Sequence, residues 1–513
     1  MNQGELGLWV LVCGLALAAG IVLVLVRYVN RREPLLPAVV TGVAWYFAFS
    51  VCFILPIDLT VQEERDALRA VWRFVYWGSF VLTWLVIPVL EDYYKAGAFT
   101  FGGRLWYAIK ANLKLYLGGA VASVVLLTYI ATAQRLSVDA LLGMVVCMTN
   151  AFGLSLVVAL LGHGLVAIPR ALWTSSHFQQ RLDAISATIT QAATEYTHAR
   201  EQLYQTCRLI EHLIPRITGD TLATLFAEVR RSLPSETDHD MGMITGEGLD
   251  PLPLETHLRA QTDLTVADLV HLHLHVKAVA RHLLMAHGFY DNTITAYFHL
   301  ETVLADVDSP RKAVRRDLGY GLAACLSMLS LLVIWCEITI VPKANLSPLS
   351  GAISWFQTEG TSQLPLWLIS AAFMTYQMVC CGYGVLTLRL PKLYYITGNR
   401  RSDGASLLFS ASNLLRLHFA LTYNFLQLIR VHGTAFEEVM GSMTVIPFFG
   451  TSFNEVCPIS VLLIAILTLS APYLPFVRCA KRLLHFTTYD DDPAMVAHII
   501  RKERRQRTLL NSP

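Results

Sequence analysis

The chain has 513 residues, of which 54% are hydrophobic and 15% are charged, and its formal net charge is +2. Soluble globular proteins usually carry about 25% charged residues. The composition therefore speaks against a soluble domain with a single anchor and predicts a polytopic membrane protein. The near-neutral charge does not indicate a nucleic-acid partner.

Nine apolar runs follow one another along the chain, each close to the roughly 20 residues that a membrane-spanning helix needs. They predict an all-α polytopic fold with nine transmembrane helices. The fifth run contains Gly153, Gly162 and Gly164, which predicts a tilt or bend. The runs lie near Leu8–Val26, Leu36–Leu55, Phe74–Leu90, Leu115–Ala133, Leu141–Ile168, Tyr320–Val341, Leu366–Leu388, Ala405–Leu428 and Cys457–Phe476.

The basic residues predict the orientation of these spans. The first run has no basic segment before it, unlike a secretion signal, whereas Arg27, Arg31 and Arg32 follow it directly. Because basic residues accumulate on the cytoplasmic side, the N-terminus is predicted outside and the C-terminus inside. Threading nine spans places these further basic positions on the side of Arg27: Lys95, Arg104, Lys110, Lys114, Arg389, Lys392, Arg400, Arg401 and the tail 501–507.

One large polar insertion separates spans five and six, and this orientation places it in the cytoplasm. Residues 177–214 and 264–307 carry apolar residues at helical spacing, and a loop rich in glycine, proline and acidic residues joins them. We expect two long helices in an antiparallel arm, for which a coiled coil is one possible form. The predicted domains are 1–170 (spans one to five), 171–316 (cytoplasmic arm), 317–478 (spans six to nine) and 479–513 (basic cytoplasmic tail).

Metal, cofactor and catalytic sites are not predicted. The ten cysteines lie mostly in apolar runs without CxxC spacing, so we expect buried small hydrophobes rather than disulfides or zinc ligands. On a helix, His271 and His275 share a face that His282 could join, but His273 points away. No carboxylate or cysteine stands at suitable spacing. Since catalytic motifs are not found in a fitting context, we do not expect an enzyme.

Two short segments near the predicted membrane surface carry further signals. The basic turn Arg400–Asp403 is interpreted as a topology determinant, with binding of lipid headgroups as the alternative. Asn345 begins a formal glycosylation sequon on the predicted outer side, with Pro348 directly after it.

Polar residues inside the spans are the candidate functional site. An arginine in the middle of a helix in lipid costs about 3 kcal/mol on insertion scales, so such groups normally face the bundle interior and pair. Arg416 is expected to donate to acceptors on spans five or six, with Asn413 on the same face, and a Glu337–Arg416 pair is geometrically possible. The preferred role is a hydrogen-bond network that holds helices together; a ligand or ion path is the alternative. The candidates are Asp58, Asn150, His163, Glu337, Asn413, Arg416, His418 and Asn424.

Several stretches form a recognisable series along the chain. The main four are Phe74–Leu105, Asn150–Arg170, Ala405–Leu417 and Val439–Phe449, and two shorter ones are Ile54–Thr60 and Ile334–Ile340. In this order and spacing they resemble the limb-region-1-like membrane protein family, which contains the lipocalin-interacting membrane receptor. The branch called domain-containing protein 2 is the most similar. Residues on the family pattern are Trp77, Trp84, Pro88, Asn150, Gly153, Gly164, Pro169, Arg170, Glu337, Arg416, Asn424, Gly441 and Ser442.

The resemblance implies nine spans with a long cytoplasmic insertion, and roles in receptor signalling and membrane trafficking rather than catalysis. It implies a protein like those that internalise extracellular ligands, partner a lysosomal cobalamin transporter or regulate G-protein-coupled (β-adrenergic) receptor signalling. Two departures stand out. The outer loop 58–73 is shorter than in animal relatives, and Phe419 and Ala420 stand where the close branch tends to have prolines.

The leading hypothesis is a multi-pass receptor or trafficking and signalling adaptor in the plasma membrane, with endosomal or lysosomal membranes as the alternative location. Its predicted partners are other membrane proteins or receptors, cytoplasmic trafficking or signalling proteins bound through the arm, and the lipid bilayer. A homodimer is a further possibility. The alternative function is a transporter or channel-like protein for a small or lipidic solute, which needs a continuous polar route to both sides.

Overall fold

The computed structural model describes most of the chain as helix. The described residues are 3–30, 34–60, 65–133, 138–217, 219–234, 258, 264–305, 310–340, 346–358, 364–387, 400, 402–440, 456–470 and 493–510. Within these ranges, the isolated bridge between Val29 and Ser402 is the only extended pairing. The all-α prediction is confirmed for this part of the chain.

The helices follow the apolar runs and the arm segments of the sequence. In chain order they are α1 (Gln3–Tyr28), α2 (Leu35–Thr60), α3 (Arg65–Val81), a π-helical turn (Leu82–Val86), α4 (Ile87–Lys95), α5 (Phe101–Ala133), α6 (Val138–Ser176), α7 (Phe178–Leu213), α8 (Asp220–Arg231), α9 (Val266–Ala305), α10 (Pro310–Ile338), α11 (Pro348–Thr358), α12 (Leu364–Thr387), α13 (Gly404–Ile429), α14 (Ala435–Met440), α15 (Ser460–Ser470) and α16 (Pro493–Leu510). Helix α6 runs through the predicted arm boundary, and α10 begins before residue 316.

Six helices in the described ranges are long and apolar enough to cross a membrane: α1, α2, the continuous helix α3–α4, α6, α10 and α12. Three more predicted spans coincide with helices α5, α13 and α15. Most of α13 is buried despite its polar residues, so it occupies the interior of the bundle. The structure is that of a helical multi-pass membrane protein. That the chain has nine membrane-spanning helices stays a prediction.

A proline explains the π-helical turn between α3 and α4. Pro88 has no N–H, and its ring excludes a regular hydrogen bond to the carbonyl four residues earlier, that of Trp84. The Tyr116 hydroxyl from α5 donates to this Trp84 carbonyl instead. Asn112, also on α5, donates to the Pro88 carbonyl at 3.3 Å and to the Asp92 carboxylate at 2.9 Å. Helix α5 thus supplies a donor to the carbonyl that the proline leaves open and holds α4 through two further bonds.

Helix α6 lies against α10, α12, α13 and α15, and its glycines allow close approach. A Cβ at residue 164 would lie 2.6 Å from the carbonyl carbon of Cys380 on α12. A Cβ at residue 153 would lie 2.8 Å from the carbonyl oxygen of Arg416 on α13. Small residues at helix interfaces are a common means of packing in membranes. These glycines therefore admit neighbouring backbones within a single continuous helix of 39 residues.

The arm consists of α7 and α9 packed side by side, together with α8. The pairs Thr206–His275 and Gln202–His282 run in opposite directions along the two helices, at 3.4 and 3.0 Å, so the pair is antiparallel. Apolar side chains of α8, including Phe226, complete the core of the arm at the end where α7 stops and α9 begins, and Phe99 packs against this core. The prediction of two helices was therefore incomplete, because it placed no helix at α8.

The C-terminal helix α16 folds back on the arm. The Tyr290 hydroxyl donates to the Glu503 carboxylate at 2.9 Å, and Arg504 pairs with Glu301 at 2.6 Å. The Arg507 guanidinium carbon lies 4.7 Å from the centre of the Phe298 ring, within cation–π range. The basic tail and the arm consequently lie on the same side of the membrane helices.

Candidate functional site

Asp58 joins three segments at one end of the bundle. Its carboxylate accepts hydrogen bonds from Trp72 Nε1 on α3 at 2.9 Å, and from the backbone N–H groups of Ala435 at 3.0 Å and Phe436 at 2.9 Å. Asp58, Trp72 and Phe436 are buried, and the two aromatic rings meet edge to face with centroids 5.0 Å apart. A carboxylate that receives three N–H groups is well compensated for its burial. Asp58 thus fixes α14 against α2 and α3.

Glu337 forms a second cluster, in the interior of the bundle. Its side chain is fully buried, with 0% exposure. Asn424 Nδ2 on α13 lies 2.9 and 3.1 Å from its two oxygens, and Gln377 Nε2 on α12 lies 3.5 Å from one of them. Asn424 Oδ1 and Gln377 Oε1 are buried without a hydrogen-bond partner in the described part of the chain. Glu337 therefore links α10, α12 and α13 through amide donors.

Arg416 does not take the position that its sequence context suggested. Its guanidinium carbon lies 5.7 Å from the centre of the Trp84 ring, in the π-helical turn, and it is within electrostatic range of Glu91 and Tyr116. Its Nε is buried and has no hydrogen-bond partner among the described residues. The prediction that Arg416 donates to acceptors on spans five or six is therefore wrong for the described residues, and Glu337 accepts from side-chain amides instead.

The reason lies in the backbone of α6. At Gly153 this helix approaches the Arg416 carbonyl too closely for a side chain to lie between them. The Arg416 side chain therefore points towards the third and fourth predicted spans. Asn413, one turn away, is half-buried, and its Nδ2 donates to the Phe409 carbonyl of its own helix at 3.0 Å.

The remaining predicted residues do not join one network. His418 is fully buried; its Nε2 lies 3.2 Å from the Ser79 hydroxyl on α3, and its Nδ1 lies 2.7 Å from the Leu415 carbonyl. His163 is half-buried in α6 and bonds to no other side chain in the described ranges. The side chain of Asn150 and the sequon at Asn345 lie outside the described residues.

Reasoning from sequence missed several partners of these residues. Gln377 stands in an apolar run, and its amide was a visible signal for a polar contact inside the membrane. Ser79 and Trp72 gave no comparable signal, because serine and tryptophan are unremarkable in membrane helices. Their roles depend on which helices become neighbours.

A further polar cluster, also missed, attaches the arm to the membrane helices. His273 Nδ1 lies 2.7 Å from the Gly97 carbonyl, and its Nε2 lies 3.1 Å from the hydroxyl of Ser232, the residue directly after α8. Lys277 Nζ donates to the Ala96 carbonyl at 2.9 Å. The Phe99 ring stacks on His273 with centroids 4.9 Å apart. Burial lowers the pKa of His273, and the nearby Lys277 lowers it further, whereas its bond to Gly97 raises it.

The three histidines at alternate positions near the start of α9 have different surroundings. His271 is exposed, His273 faces Gly97, and His275 faces Thr206 on α7. The three side chains therefore point to three different surroundings. Burial lowers the pKa of His275, which favours its neutral form at neutral pH.

Comparison with known proteins decides the family. The family model described as "LMBR1-like membrane protein" matches residues 6–473. The chain belongs to the LMBR1-like membrane protein family. This match covers both the membrane helices and the arm, so the family likeness is not confined to one domain.

Curated relatives place the chain near one branch of the LMBR1-like family. It is 26% identical to "LMBR1 domain-containing protein 2 homolog A" of Dictyostelium discoideum, over 81% of this chain and 59% of the relative. It is 24% identical to "LMBR1 domain-containing protein 2 homolog" of Drosophila melanogaster, over 86% of this chain and 75% of the relative. It is 25% identical to "G-protein coupled receptor-associated protein LMBRD2" of Homo sapiens, over 93% and 80%. The chain thus spans about three fifths of the Dictyostelium relative. No solved structure matches it significantly.

Proposed function

We propose that this chain is a multi-pass membrane adaptor that acts by binding other proteins and that it associates with G-protein-coupled receptors. The name of the human relative states such an association for that protein. The proposal extends it to this chain through the shared family and the match over most of both sequences. We further propose that the chain carries out no catalysis of its own.

The observation that carries the adaptor proposal is the use of polar groups inside the bundle. The Asp58 carboxylate accepts hydrogen bonds from Trp72 and from two backbone N–H groups, and the Glu337 carboxylate accepts from Asn424. Each contact joins different helices, and the bonds from Asp58 to residues 435 and 436 and from Asn424 to Glu337 join helices that are distant in the sequence. Buried polar groups that have their hydrogen-bond partners stabilise a scaffold. Because these groups are used inside the bundle, we propose the cytoplasmic arm as the surface that binds partner proteins.

The end of the arm at which α7 stops and α8 follows has an exposed face with the character of a binding surface. Ile214, at the end of α7, is 48% exposed, and charged residues surround it in the sequence and on α8: Arg208, Glu211, Arg230 and Arg231 are all exposed. Interfaces commonly combine an apolar centre with a polar rim. We propose that receptors or trafficking and signalling proteins bind here.

The orientation belongs to the same proposal. Nine spans with the N-terminus outside and the C-terminus inside would place both the arm and α16 in the cytoplasm. The contacts of Tyr290 and Glu301 with α16 support a common side for the two. We propose the plasma membrane as the location, where receptors of this class meet extracellular ligands, with endosomal or lysosomal membranes as the alternative.

One observation favours the alternative of a transporter or channel-like protein. Asn424 Oδ1 and Gln377 Oε1 have no partner in the described residues, and they lie beside the buried Glu337. Polar atoms of this kind inside a membrane can bind a small solute or an ion. A transport function would require solute flux in vesicles that contain the purified chain.

Co-purification tests the adaptor proposal. The tagged full-length chain is expressed with a panel of G-protein-coupled receptors, and an unrelated multi-pass protein of similar size serves as control bait. We expect at least one receptor to be retained above the control. Ile214→Asp combined with Glu211→Arg should reduce this retention, whereas Leu331→Ala on the lipid-facing surface of α10 should not. Equal retention by both baits would overturn the proposed association.

A further inference from the structure

A groove runs along the seam between α1 and α2. It has a volume of about 680 Å³ and opens to the outside of the bundle, and ligand pockets commonly have about 300–1,000 Å³. Ala18, Ala38 and Gly42 leave room along the seam, and branched aliphatic side chains form most of the remaining wall. Its wall includes Ala18, Ile21, Leu25, Ala38, Val39 and Gly42. The groove is therefore an apolar slot at the level of the hydrocarbon core.

An arginine stands at one end of this groove. Arg400 Nε donates to the carbonyl of Val26, a wall residue of the groove, at 3.1 Å. The Arg400 backbone N–H donates to the Arg27 carbonyl at 3.0 Å, and the Ser402 N–H donates to the Tyr28 carbonyl at 3.2 Å. These three bonds hold Arg400 against the last turn of α1. Its side chain is exposed, and its two Nη atoms bond to nothing in the described part of the chain.

The charges around this end favour an anion. Arg27 is also exposed on the last turn of α1, but it lies with Leu23, Trp45 and Leu386 on another face of this helix. Arg400 is therefore the cation that the structure places against the groove. Asp403, the acid nearest to Arg400 in the sequence, is buried and caps α13 by accepting the Ser406 N–H at 3.3 Å. Its carboxylate is thus directed into the helix rather than towards the groove. The Ser406 hydroxyl lies 3.9 Å from Met285 Sδ of α9, so this end of the groove is on the side of the arm.

We propose that the groove binds one anionic phospholipid from the leaflet on the side of the arm. An acyl chain lies along the seam of α1 and α2, and the phosphate pairs with the free edge of the Arg400 guanidinium. Arginine binds phosphate through two parallel N–H donors. A zwitterionic lipid fits less well, because it carries no net charge for the Arg400 guanidinium and its ammonium group meets no carboxylate among the described residues that line the groove. The apolar wall explains why the ligand is a lipid rather than a free phosphate.

Binding of defined lipids to the purified full-length chain tests this proposal. Native mass spectrometry in detergent compares phosphatidylglycerol, phosphatidylcholine with the same acyl chains, and glycerol phosphate without acyl chains. We expect phosphatidylglycerol to bind most tightly and glycerol phosphate not at all. Arg400→Gln should weaken phosphatidylglycerol about tenfold, the change expected for a lost charge-assisted pair. Arg400→Lys should keep part of the preference.

Matched variants separate the groove from general charge and apolar surface. Ala38→Phe fills the groove and should remove the bound lipid, whereas Leu15→Phe, at a site on α1 that is 62% exposed, should not. Lys110→Gln, an exposed cation on α5, is the charge control. Gel filtration and circular dichroism verify that each variant is folded. Equal binding of the two lipids, or binding that Ala38→Phe leaves unchanged, would overturn the proposal, and saturable binding of glycerol phosphate would assign the site to a free anion instead.

Discussion

Removing the Asp58 carboxylate should loosen one whole end of the bundle. Asp58→Ala leaves three buried donors without an acceptor: Trp72 Nε1 and the N–H groups of Ala435 and Phe436. Each buried donor left unsatisfied costs about 1–3 kcal/mol. We therefore expect Asp58→Ala to lower the free energy of unfolding by at least about 3 kcal/mol, because three donors lose their acceptor together.

The geometry also predicts a graded series. Asp58 Oδ2 accepts from both Trp72 and Phe436, whereas Oδ1 accepts from Ala435 alone. Asp58→Asn keeps one oxygen, which can still serve the first two donors. Only the Ala435 donor then loses its acceptor, at a cost of about 1–3 kcal/mol. The amide should consequently fall between the wild type and the alanine variant.

Buried free cysteines provide the assay. Cys52, Cys336, Cys380 and Cys381 are buried, so a thiol-reactive dye reports the temperature at which the bundle opens. The control is Asp66→Asn, because Asp66 is a surface acid near the start of α3 and exposed ion pairs contribute little. An Asp58→Ala variant that opens at the wild-type temperature would refute the view that this carboxylate holds α2, α3 and α14 together.

Three further predictions follow from the packing and the charges. Gly164→Ala places a Cβ 2.6 Å from the carbonyl carbon of Cys380. Such overpacking costs about 1–3 kcal/mol of stability, so the melting temperature should fall. The control Gly20→Ala, which has open space around its Cβ, should leave the melting temperature unchanged. Glu337→Gln should melt no lower than the wild type, because no described cation neutralises Glu337 and a glutamine can still bond to its amide neighbours, whereas Glu337→Ala should melt lower in the same dye assay. The pKa of His273 is lowered while the arm is attached to Gly97, so protonation of His273 favours release of the arm from the membrane helices. The attachment should be intact above about pH 6.5, the usual histidine pKa, and should weaken as the pH falls below this value. Hydrogen exchange at residues 95–100 measures this, and a His273→Gln variant with the same pH dependence would exclude His273 as the cause.

Much of the fold could be predicted because hydrophobic length is a local property. The apolar runs around α1, α2, α6, α10 and α12 coincide with candidate membrane helices, and the helical spacing of α7 and α9 appears in the arm. Helix α8 was missed, since its twelve residues lie beside a segment rich in loop-forming residues. Pro88 was visible in the sequence, but the Tyr116 hydroxyl that completes its π-helical turn belongs to the next helix.

The polar contacts could be predicted only in kind. A buried Asp58 or Glu337 must find partners, and the structure supplies them. Which partners these are depends on tertiary arrangement, because Asp58 and Ala435 are 377 positions apart. Helical periodicity likewise does not reveal which face of α13 meets α6. The close approach at Gly153 decides that face, and it turns the Arg416 side chain towards Trp84.

If receptors contact this chain through the arm, as we propose, site-specific photo-crosslinking should capture that contact. A photoreactive amino acid is placed at Glu211, exposed near the end of α7, or at Leu331, which is 61% exposed on α10. In cells that also express a co-purifying G-protein-coupled receptor, we predict a crosslinked product from position 211 and none from position 331. A receptor that is crosslinked from position 331 but not from position 211 would show that receptors do not bind through the arm.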